Sequence, residues 1–180
     1  MLIDGLRNNP SFIVPDWPAP ANVIAAVTTR LGGVSKGDYS SFNLAMHVND
    51  DREHVQINRE KLHHIFGVDV GFQWLEQVHG THVIEAKKDA EIVKADAVYT
   101  TEKGIVCCIT TADCLPIFLA SKTGKAVAVV HAGWRGLAGG VVENCLNLIP
   151  ETRGNMIAWL GPAIGPCHFE VGSEVREKFV

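Results

Sequence analysis

Residues 125–131 read KAVAVVH, a run of small and β-branched apolar residues that ends in a histidine. The run predicts a β-strand, Lys125–His131, that is buried on both faces, since it shows no alternation of apolar and polar positions. The small residues of the following segment AGWRG, an alanine and two glycines, predict a turn, after which Gly136–Leu148 predicts a helix. A buried strand followed by a helix is typical of α/β proteins.

The same mixture of strands and helices extends over the rest of the chain. A helix is predicted over residues 50–67, because Asp50 or Asp51 can cap its start and Gly67 can end it. Strands outnumber helices and look buried on both sides, so we expect an α/β protein with helices on both faces of the sheets. The other predicted strands are Val23–Thr29, Phe72–Leu75, His82–Ala86, Ala97–Thr100, Ile105–Thr110, Pro116–Ala120 and Ile157–Leu160, and Ser173–Val180 predicts the start of a last helix.

Length and composition limit the function classes. The 180 residues, 47% apolar and 20% charged, predict a single domain, and because the chain ends within a predicted helix we expect the domain to lack its C-terminal end. A net charge of -4 gives no basis for binding nucleic acid or a membrane surface. The sequence shows no secretory signal and no apolar run of roughly 18 residues, so we expect a cytoplasmic protein. Five cysteines without a C-x-x-C pair argue against a disulfide scaffold.

Three segments share one arrangement, in which an apolar strand ends and a turn of small residues presents a metal-binding side chain. They are WLEQVHGTH (Trp74–His82), TTADCLP (Thr110–Pro116) and VVHAGWRG (Val129–Gly136). Two imidazoles and one thiolate suit Zn²⁺, and three ligands would leave a fourth position open for water, whose pKa would fall to roughly 7. Structural histidines and an inert buried cysteine are the alternative, since the spacing matches no short metal signature. The candidate ligands are His79, Cys114 and His131.

Longer motifs carry a specific resemblance that covers most of the chain, from about Val14 to Val180. The motifs are TTRLGGVS, SFNLAMHVND, Asn58-Arg59, WLEQVHGTHV, ADAVYT, TADCLPI, VAVVHAGWRGL and AWLGPAIGPCHFEVG. In content and order they resemble the motifs of the YfiH family, which are bacterial proteins also called laccase-domain, polyphenol-oxidase, purine nucleoside phosphorylase or peptidoglycan-editing-factor proteins.

The resemblance implies a fold, a metal site and an activity. The fold would be a mixed-sheet α/β sandwich with helices on its outer faces, similar to the Cys–His hydrolase domain of the CNF toxin. The resemblance places zinc on His79, Cys114 and His131, with copper as the alternative metal. It also implies phosphorolysis of adenosine, inosine, guanosine and methylthioadenosine, and deamination of adenosine. The partners would then be a purine nucleoside and inorganic phosphate.

Further polar residues are candidates for substrate contacts. Asp113, next to Cys114, is a candidate general acid or a partner of a metal-bound histidine, and an Asp that caps backbone amides is the alternative. Four further residues are candidates for substrate binding: Arg30, Asn43, Arg59 and Arg135. The arginines can hold phosphate bidentately. A solvated or structural role is the alternative for each of the four.

Two other enzyme classes and a non-enzymatic binding module compete with the phosphorylase hypothesis. A copper-dependent polyphenol oxidase needs many histidines, usually in H-x-H pairs, whereas the eight histidines here form none. A Cys–His amide hydrolase acting on peptidoglycan precursors would use Cys114 as its nucleophile, which a bound metal would disfavour. A binding module would have no use for an open ligand position. The leading hypothesis is therefore a zinc-dependent purine nucleoside phosphorylase with adenosine deaminase activity.

Overall fold

The computed structural model describes residues 2–67, 69–88 and 90–180, and the chain forms two compact units. Unit 1 comprises Met1–Asp16 and Ile24–Val70, and unit 2 comprises Trp17–Val23 and Gly71–Val180. The single-domain organisation expected from the sequence stays a prediction. Within the described ranges, no helix combines the length and apolar character that a membrane crossing requires.

Unit 1 is built around one long helix. Its elements are α1 (Leu2–Arg7), β1 (Phe12–Ile13), β2 (Val27–Thr28) and α2 (Arg52–Phe66). The helix predicted over residues 50–67 is confirmed: the Asp51 side chain accepts a hydrogen bond from the Glu53 amide and caps α2, and Gly67, at φ 112°, ends it. The predicted strand Val23–Thr29 is too long, because its antiparallel ladder with β1 holds only two residue pairs.

Unit 2 contains the remaining strands and helices. A five-stranded mixed sheet has the order β11-β9-β10-β7-β5, antiparallel throughout except for the parallel pair β5–β7, and β3–β8 and β4–β6 form two short parallel ladders. The α/β class with mixed sheets is therefore confirmed. The elements are β3 (Gly71–Gln73), β4 (Leu75–Glu76), β5 (Val83–Glu85), β6 (Val93–Lys94), β7 (Ala97–Thr100), β8 (Ile105–Cys107), β9 (Leu115–Ser121), β10 (Val127–Ala132), α3 (Trp134–Ala138), α4 (Val141–Leu148), β11 (Met156–Leu160) and α5 (Ser173–Arg176).

The central strand β10 is buried on both faces, as its sequence predicts. Val130 belongs to a core cluster on one face that includes Val141 of α4. Val129 belongs to a second cluster on the other face, with Val98 of β7 and Ile105 of β8. Fully burying one such side chain contributes about 1.5–3 kcal/mol to the free energy of unfolding, so the valines of β10 stabilise unit 2 on both faces of the strand.

The helix predicted over Gly136–Leu148 is wrong in one respect, because two helices occupy this stretch. They are separated by Gly139 and Gly140, and Gly140 adopts φ 89°, a left-handed conformation that ends α3 and that glycine tolerates best. A Cβ on Gly139 would lie 2.8 Å from the Thr81 Cγ2 atom, so this break also lets the chain pass close to residue 81.

Other predicted boundaries shift as well. The strand predicted over Ile105–Thr110 ends at Cys107, the one over Phe72–Leu75 is interrupted at Trp74, and the last helix ends at Arg176. The strands predicted over Ile105–Thr110 and Phe72–Leu75 are longer than the observed ones, because β8 and β3 pair with each other over only three residues. The sequence analysis did not predict α1, β1 or β6.

Candidate metal site

Strand pairing in unit 2 brings the three predicted metal ligands together. His131 lies in β10, Cys114 immediately precedes the neighbouring strand β9, and His79 lies in the turn before β5. Their candidate ligating atoms all lie within 4.8 Å of one another. The distance from Cys114 Sγ to His79 Nε2 is 3.8 Å, and the centroids of the two imidazole rings are 4.7 Å apart.

Gly133 makes this convergence sterically feasible. A Cβ at this position would lie 2.9 Å from His79 Cδ2 and 3.1 Å from Cys114 Sγ, both closer than ordinary van der Waals contact. The backbone after β10 therefore passes directly against two of the three candidate ligands. This close approach explains the glycine that follows the histidine in VVHAGWRG.

The residues present fit a zinc ion. In a tetrahedral zinc site, bonds of about 2.0–2.3 Å place neighbouring N and S donors roughly 3.3–3.6 Å apart. The Sγ–Nε2 distance of 3.8 Å is close to that range, so only a small contraction would be required. Two nitrogens and one sulfur would leave a fourth position open, and the same set also suits copper. Among the residues that the structure describes, this is the one group of His, Cys, Asp and Glu side chains placed to hold a metal.

The sequence analysis missed Asp96, whose carboxylate contacts both histidine-bearing segments. Its Oδ1 accepts hydrogen bonds from the His79 amide and from His131 Nδ1, each at 2.8 Å. Its Oδ2 accepts from the amides of Gly80 at 2.7 Å and Val78 at 3.3 Å. The side chain is fully buried. The available signal was an acidic residue inside the apolar strand segment ADAVYT, since a buried charge requires partners.

The thiol of Cys114 is held in its neutral form when no cation is nearby. Burial, and secondarily the negative charges of Asp113 and Asp96, raise the pKa of Cys114. A metal ion reverses this preference because it binds the thiolate and releases the proton. Asp113 itself is exposed next to Cys114, and its backbone carbonyl accepts a hydrogen bond from the Ile164 amide at 3.0 Å.

Gln77 joins two of the converging segments. Its Nε2 donates to the Thr110 carbonyl at 2.8 Å, and its Oε1 accepts from the Thr110 amide at 2.7 Å and from the Thr110 hydroxyl at 3.0 Å. The three bonds favour a structural role, because they link the turn before His79 to the loop before Cys114.

The exposed side chain of Arg135 stacks on its neighbour. Its guanidinium carbon lies 4.2 Å from the centroid of the Trp134 ring, a cation–π arrangement that covers one face of the indole. The guanidinium is therefore held against the indole, two residues along the chain from Gly133. Substrate binding by Arg135 stays a prediction.

Arg30 organises a loop in unit 1. Its Nε donates to the Ser40 carbonyl at 2.9 Å and its Nη2 donates to the Asp38 carbonyl at 2.7 Å, while the side chain stays exposed. These two bonds restrict the guanidinium. The predicted contact with phosphate stays a prediction.

The other two candidates of unit 1 also contact this loop. Asn43 donates to the Asp50 carboxylate at 2.9 Å and accepts from the Ala45 amide, and Arg59 Nε donates to the Leu44 carbonyl at 2.9 Å. These contacts favour the structural alternative that the sequence had left open for Asn43. Substrate binding by either residue stays a prediction.

Asn58, which the sequence analysis did not single out, is fully buried beside Arg59. Its amide donates to the Ser35 hydroxyl and to the carbonyls of Ser41 and Asn43, and its carbonyl accepts from the Val34 amide. These four bonds hold the loop that connects β2 and α2.

The cysteines outside the cluster pack in the core or lie on the surface. Burial raises the pKa of Cys145 to about 12 and that of Cys107 well above its ordinary value, so both thiols stay neutral. Cys108 is buried, and Cys167 is exposed.

Known proteins resemble this chain over nearly its whole length. Residues 24–180 match the family model described as multi-copper polyphenol oxidoreductase laccase. Purine nucleoside phosphorylases from Pseudomonas aeruginosa and Escherichia coli, the latter named YfiH, are each 47% identical over 94% of this chain and 69–70% of their own length.

Solved structures show the same fold. The chain superimposes on protein NMB0706 from Neisseria meningitidis with a TM-score of 0.89 at 44% sequence identity, covering 94% of this chain and 69% of that one. YlmD from Geobacillus stearothermophilus gives a TM-score of 0.87 at 32% identity, covering 95% of this chain and 69% of that structure.

Proposed function

The chain belongs to the family described as multi-copper polyphenol oxidoreductase laccase, and we propose that it acts as a zinc-dependent purine nucleoside phosphorylase, the activity for which its 47% identical relatives are named. The proposed substrates are inorganic phosphate with adenosine, inosine, guanosine or methylthioadenosine, and the same site would deaminate adenosine. The observation that carries this proposal is the convergence of the candidate ligating atoms of His79, Cys114 and His131 within 4.8 Å of one another, beside a glycine whose missing Cβ allows the close approach.

The three side chains would hold the metal through Cys114 Sγ and one nitrogen of each imidazole. Bound zinc would supply Lewis-acid chemistry and would lower the pKa of a water molecule to roughly 7. A carboxylate at Asp96 would accept the Nδ1 proton of His131, and His131 would then bind the metal through Nε2.

The polar residues near this cluster would act on the nucleoside directly. Asp113 is exposed beside Cys114 and is the proposed proton donor to the purine base as it leaves the ribose. Arg135, held against the Trp134 ring, is proposed to bind the substrate through its guanidinium. Arg30, Asn43 and Arg59 remain the proposed phosphate- and nucleoside-binding residues of unit 1.

The proposal is tested by following adenosine with and without phosphate. Protein purified without added metal is analysed for its elements and then incubated with adenosine. We expect one zinc per chain, adenine and ribose 1-phosphate only when phosphate is present, and inosine in either case. Adenine release that does not depend on phosphate, or metal-dependent oxidation of a phenol in place of both reactions, would contradict the proposal.

Replacement of Arg30 should separate the two proposed reactions. Losing a bidentate guanidinium–phosphate contact costs roughly 10²-fold in rate, so Arg30→Ala should reduce phosphorolysis about 10²-fold and leave deamination, which uses water, much less affected. Adenine and inosine are measured in the same reaction. Arg52→Ala, an exposed arginine at the start of α2, is the matched control and should change neither product.

The outcome also tests the structural role of Arg30. Because its guanidinium donates to the Asp38 and Ser40 carbonyls, an equal loss of both reactions would mean that Arg30 acts by holding its loop. An unchanged rate of both reactions would remove Arg30 from the proposed site and leave Arg59 and Arg135 as the phosphate-binding candidates.

A Cys–His amide hydrolase is the second candidate, favoured by the 3.8 Å distance from Cys114 Sγ to His79 Nε2. The raised pKa of Cys114 makes its thiol a poor nucleophile unless the histidine removes the proton. This candidate predicts an active protein free of metal, the opposite of what the zinc proposal expects.

The copper oxidase is less well supported, since the described residues form one cluster of three donors and the eight histidines form no H-x-H pair.

A further inference from the structure

We propose that Asp96 is the positioning residue of the metal site, and that its one carboxylate orients both histidine ligands. This inference rests on the metal site of the proposed function and concerns how that site is kept in shape. The carboxylate contacts the imidazole of His131 and the backbone that carries His79. Removing it should therefore affect both nitrogen ligands together.

Strand pairing places Asp96 between the two ligand-bearing segments. The antiparallel register of β10 and β7 pairs Val130 with Ala97, so the next positions along the strands are His131 and Asp96. The His131 amide donates to the Asp96 carbonyl at 2.7 Å, and the Asp96 amide donates to the His82 carbonyl at 3.0 Å. The backbone of Asp96 is thus fixed between β10 and the residues that lead into β5.

All acceptor sites of the carboxylate are in use. Two oxygens offer about four lone-pair positions, and four donors occupy them: three consecutive amides and His131 Nδ1. Since the carboxylate cannot donate, it selects the His131 tautomer that carries its proton on Nδ1. The Nε2 lone pair is then available to a metal ion.

The same carboxylate stabilises an uncommon backbone conformation at His79. His79 is the one non-glycine residue with a positive φ, 57°, in the described part of the chain. The amides of Val78, His79 and Gly80 form a concave nest around Asp96, as such backbone amides do around bound anions. An anion in this nest therefore holds the turn that presents the His79 side chain.

No neighbouring acid duplicates this arrangement among the residues that the structure describes. Asp96 is the only acidic side chain there that is buried, and Asp113, the nearest acid in the sequence to Cys114, is exposed. An amide in place of the carboxylate has the same shape but turns one acceptor into a donor. One orientation of an asparagine would face the nest with N–H groups, and the other would favour the His131 tautomer with its proton on Nε2.

The test compares the zinc affinity of the full chain with that of Asp96→Asn. Both proteins are stripped with a chelator, and zinc binding is measured by competition with a chromogenic chelator. Outer-sphere changes of this kind weaken metal binding about 10–100-fold, and we expect a loss in this range. An affinity equal to that of the unmodified chain would overturn the proposal. If the unmodified chain itself binds no zinc, the proposed function fails instead.

Val98→Ala is the matched control for a general loss of stability. Val98 lies in β7, two residues after Asp96, and is fully buried in the core. Its truncation should lower the Tm while the zinc affinity stays within about twofold, because Val98 contacts neither histidine segment through a polar bond. An equal loss of zinc affinity in Val98→Ala and Asp96→Asn would show that Asp96→Asn acts only by destabilising the fold. That result would overturn the proposal.

A measurement on the unmodified, zinc-free chain does not depend on whether the variant folds. The ¹⁵N shifts of the His131 imidazole distinguish its tautomers, with His131→Asn used to assign the signal. We expect a protonated Nδ1 and an unprotonated Nε2. A proton on Nε2 with Nδ1 unprotonated would overturn the role of Asp96, whatever the zinc affinity of the unmodified chain proves to be.

Discussion

We expect Cys114→Ser to lose zinc and catalysis together while keeping the fold. A hydroxyl is a harder and much less acidic donor than a thiol, so serine does not supply the anionic ligand that the site requires. Outer-sphere changes already weaken binding by up to about 10²-fold, and replacing a direct ligand should exceed that. Zinc content after dialysis, the rate of adenine formation and the Tm are measured on the same preparation.

The exposed Cys167 supplies the matched control for this variant. Cys167→Ser makes the same chemical change outside the cluster and should keep full zinc content and full activity. Stoichiometric zinc in Cys114→Ser would show that Cys114 is not a ligand. Full activity of Cys114→Ser without zinc would exclude both the metal-dependent mechanism and the Cys–His hydrolase.

Gly133→Ala should inactivate the site with a single methyl group. The added Cβ would lie 2.9 Å from His79 Cδ2 and 3.1 Å from Cys114 Sγ, so one or both ligand side chains must move away. Displaced donors cannot close around an ion, and we expect zinc affinity and phosphorolysis to fall about 10²-fold, with an overpacking cost of about 1–3 kcal/mol in the free energy of unfolding. Zinc competition, initial rates and urea denaturation measure the three effects.

Gly154→Ala is the control for a glycine-to-alanine change as such. A Cβ on Gly154 would have no neighbour within 4 Å, so zinc affinity, rate and stability should stay unchanged. Full zinc affinity in Gly133→Ala would mean that the chain after β10 can withdraw from the cluster. The close approach of Gly133 would then have no role in shaping the site.

Local sequence patterns were sufficient to predict the central elements of the fold. The strand Lys125–His131 was evident because its apolar residues are continuous, and β10 occupies most of that run. The helix over residues 50–67 was evident because its cap and its terminal glycine act on the residues next to them. Short strands such as β1 and β6 carry too few residues to show a period, and their pairing depends on distant partners.

The candidate metal ligands could be predicted from the sequence, whereas the buried carboxylate that contacts them could not. The three ligand candidates follow strand ends and belong to long motifs, which made them visible in the sequence. Asp96 was missed because its role arises from tertiary contacts: its buried carboxylate lies between the imidazole of His131 and the turn that carries His79. Gly139 and Gly140 were visible as a pair, but the helical pattern around them was given more weight than the break.

The convergence of residues 79, 114 and 131 means that zinc, bound as proposed, would be a cross-link of unit 2 as well as a cofactor. The three donors belong to separate segments, which meet only after β9 and β7 have paired with β10. An unfolded chain therefore offers no preformed site, and free zinc enters the folding equilibrium as a ligand of the native state alone. At a free zinc concentration of 100 times its Kd, this linkage adds about 2.7 kcal/mol to the stability of the native state. The metal supply would then set how long the protein resists unfolding and proteolysis, in addition to how fast it turns over a nucleoside.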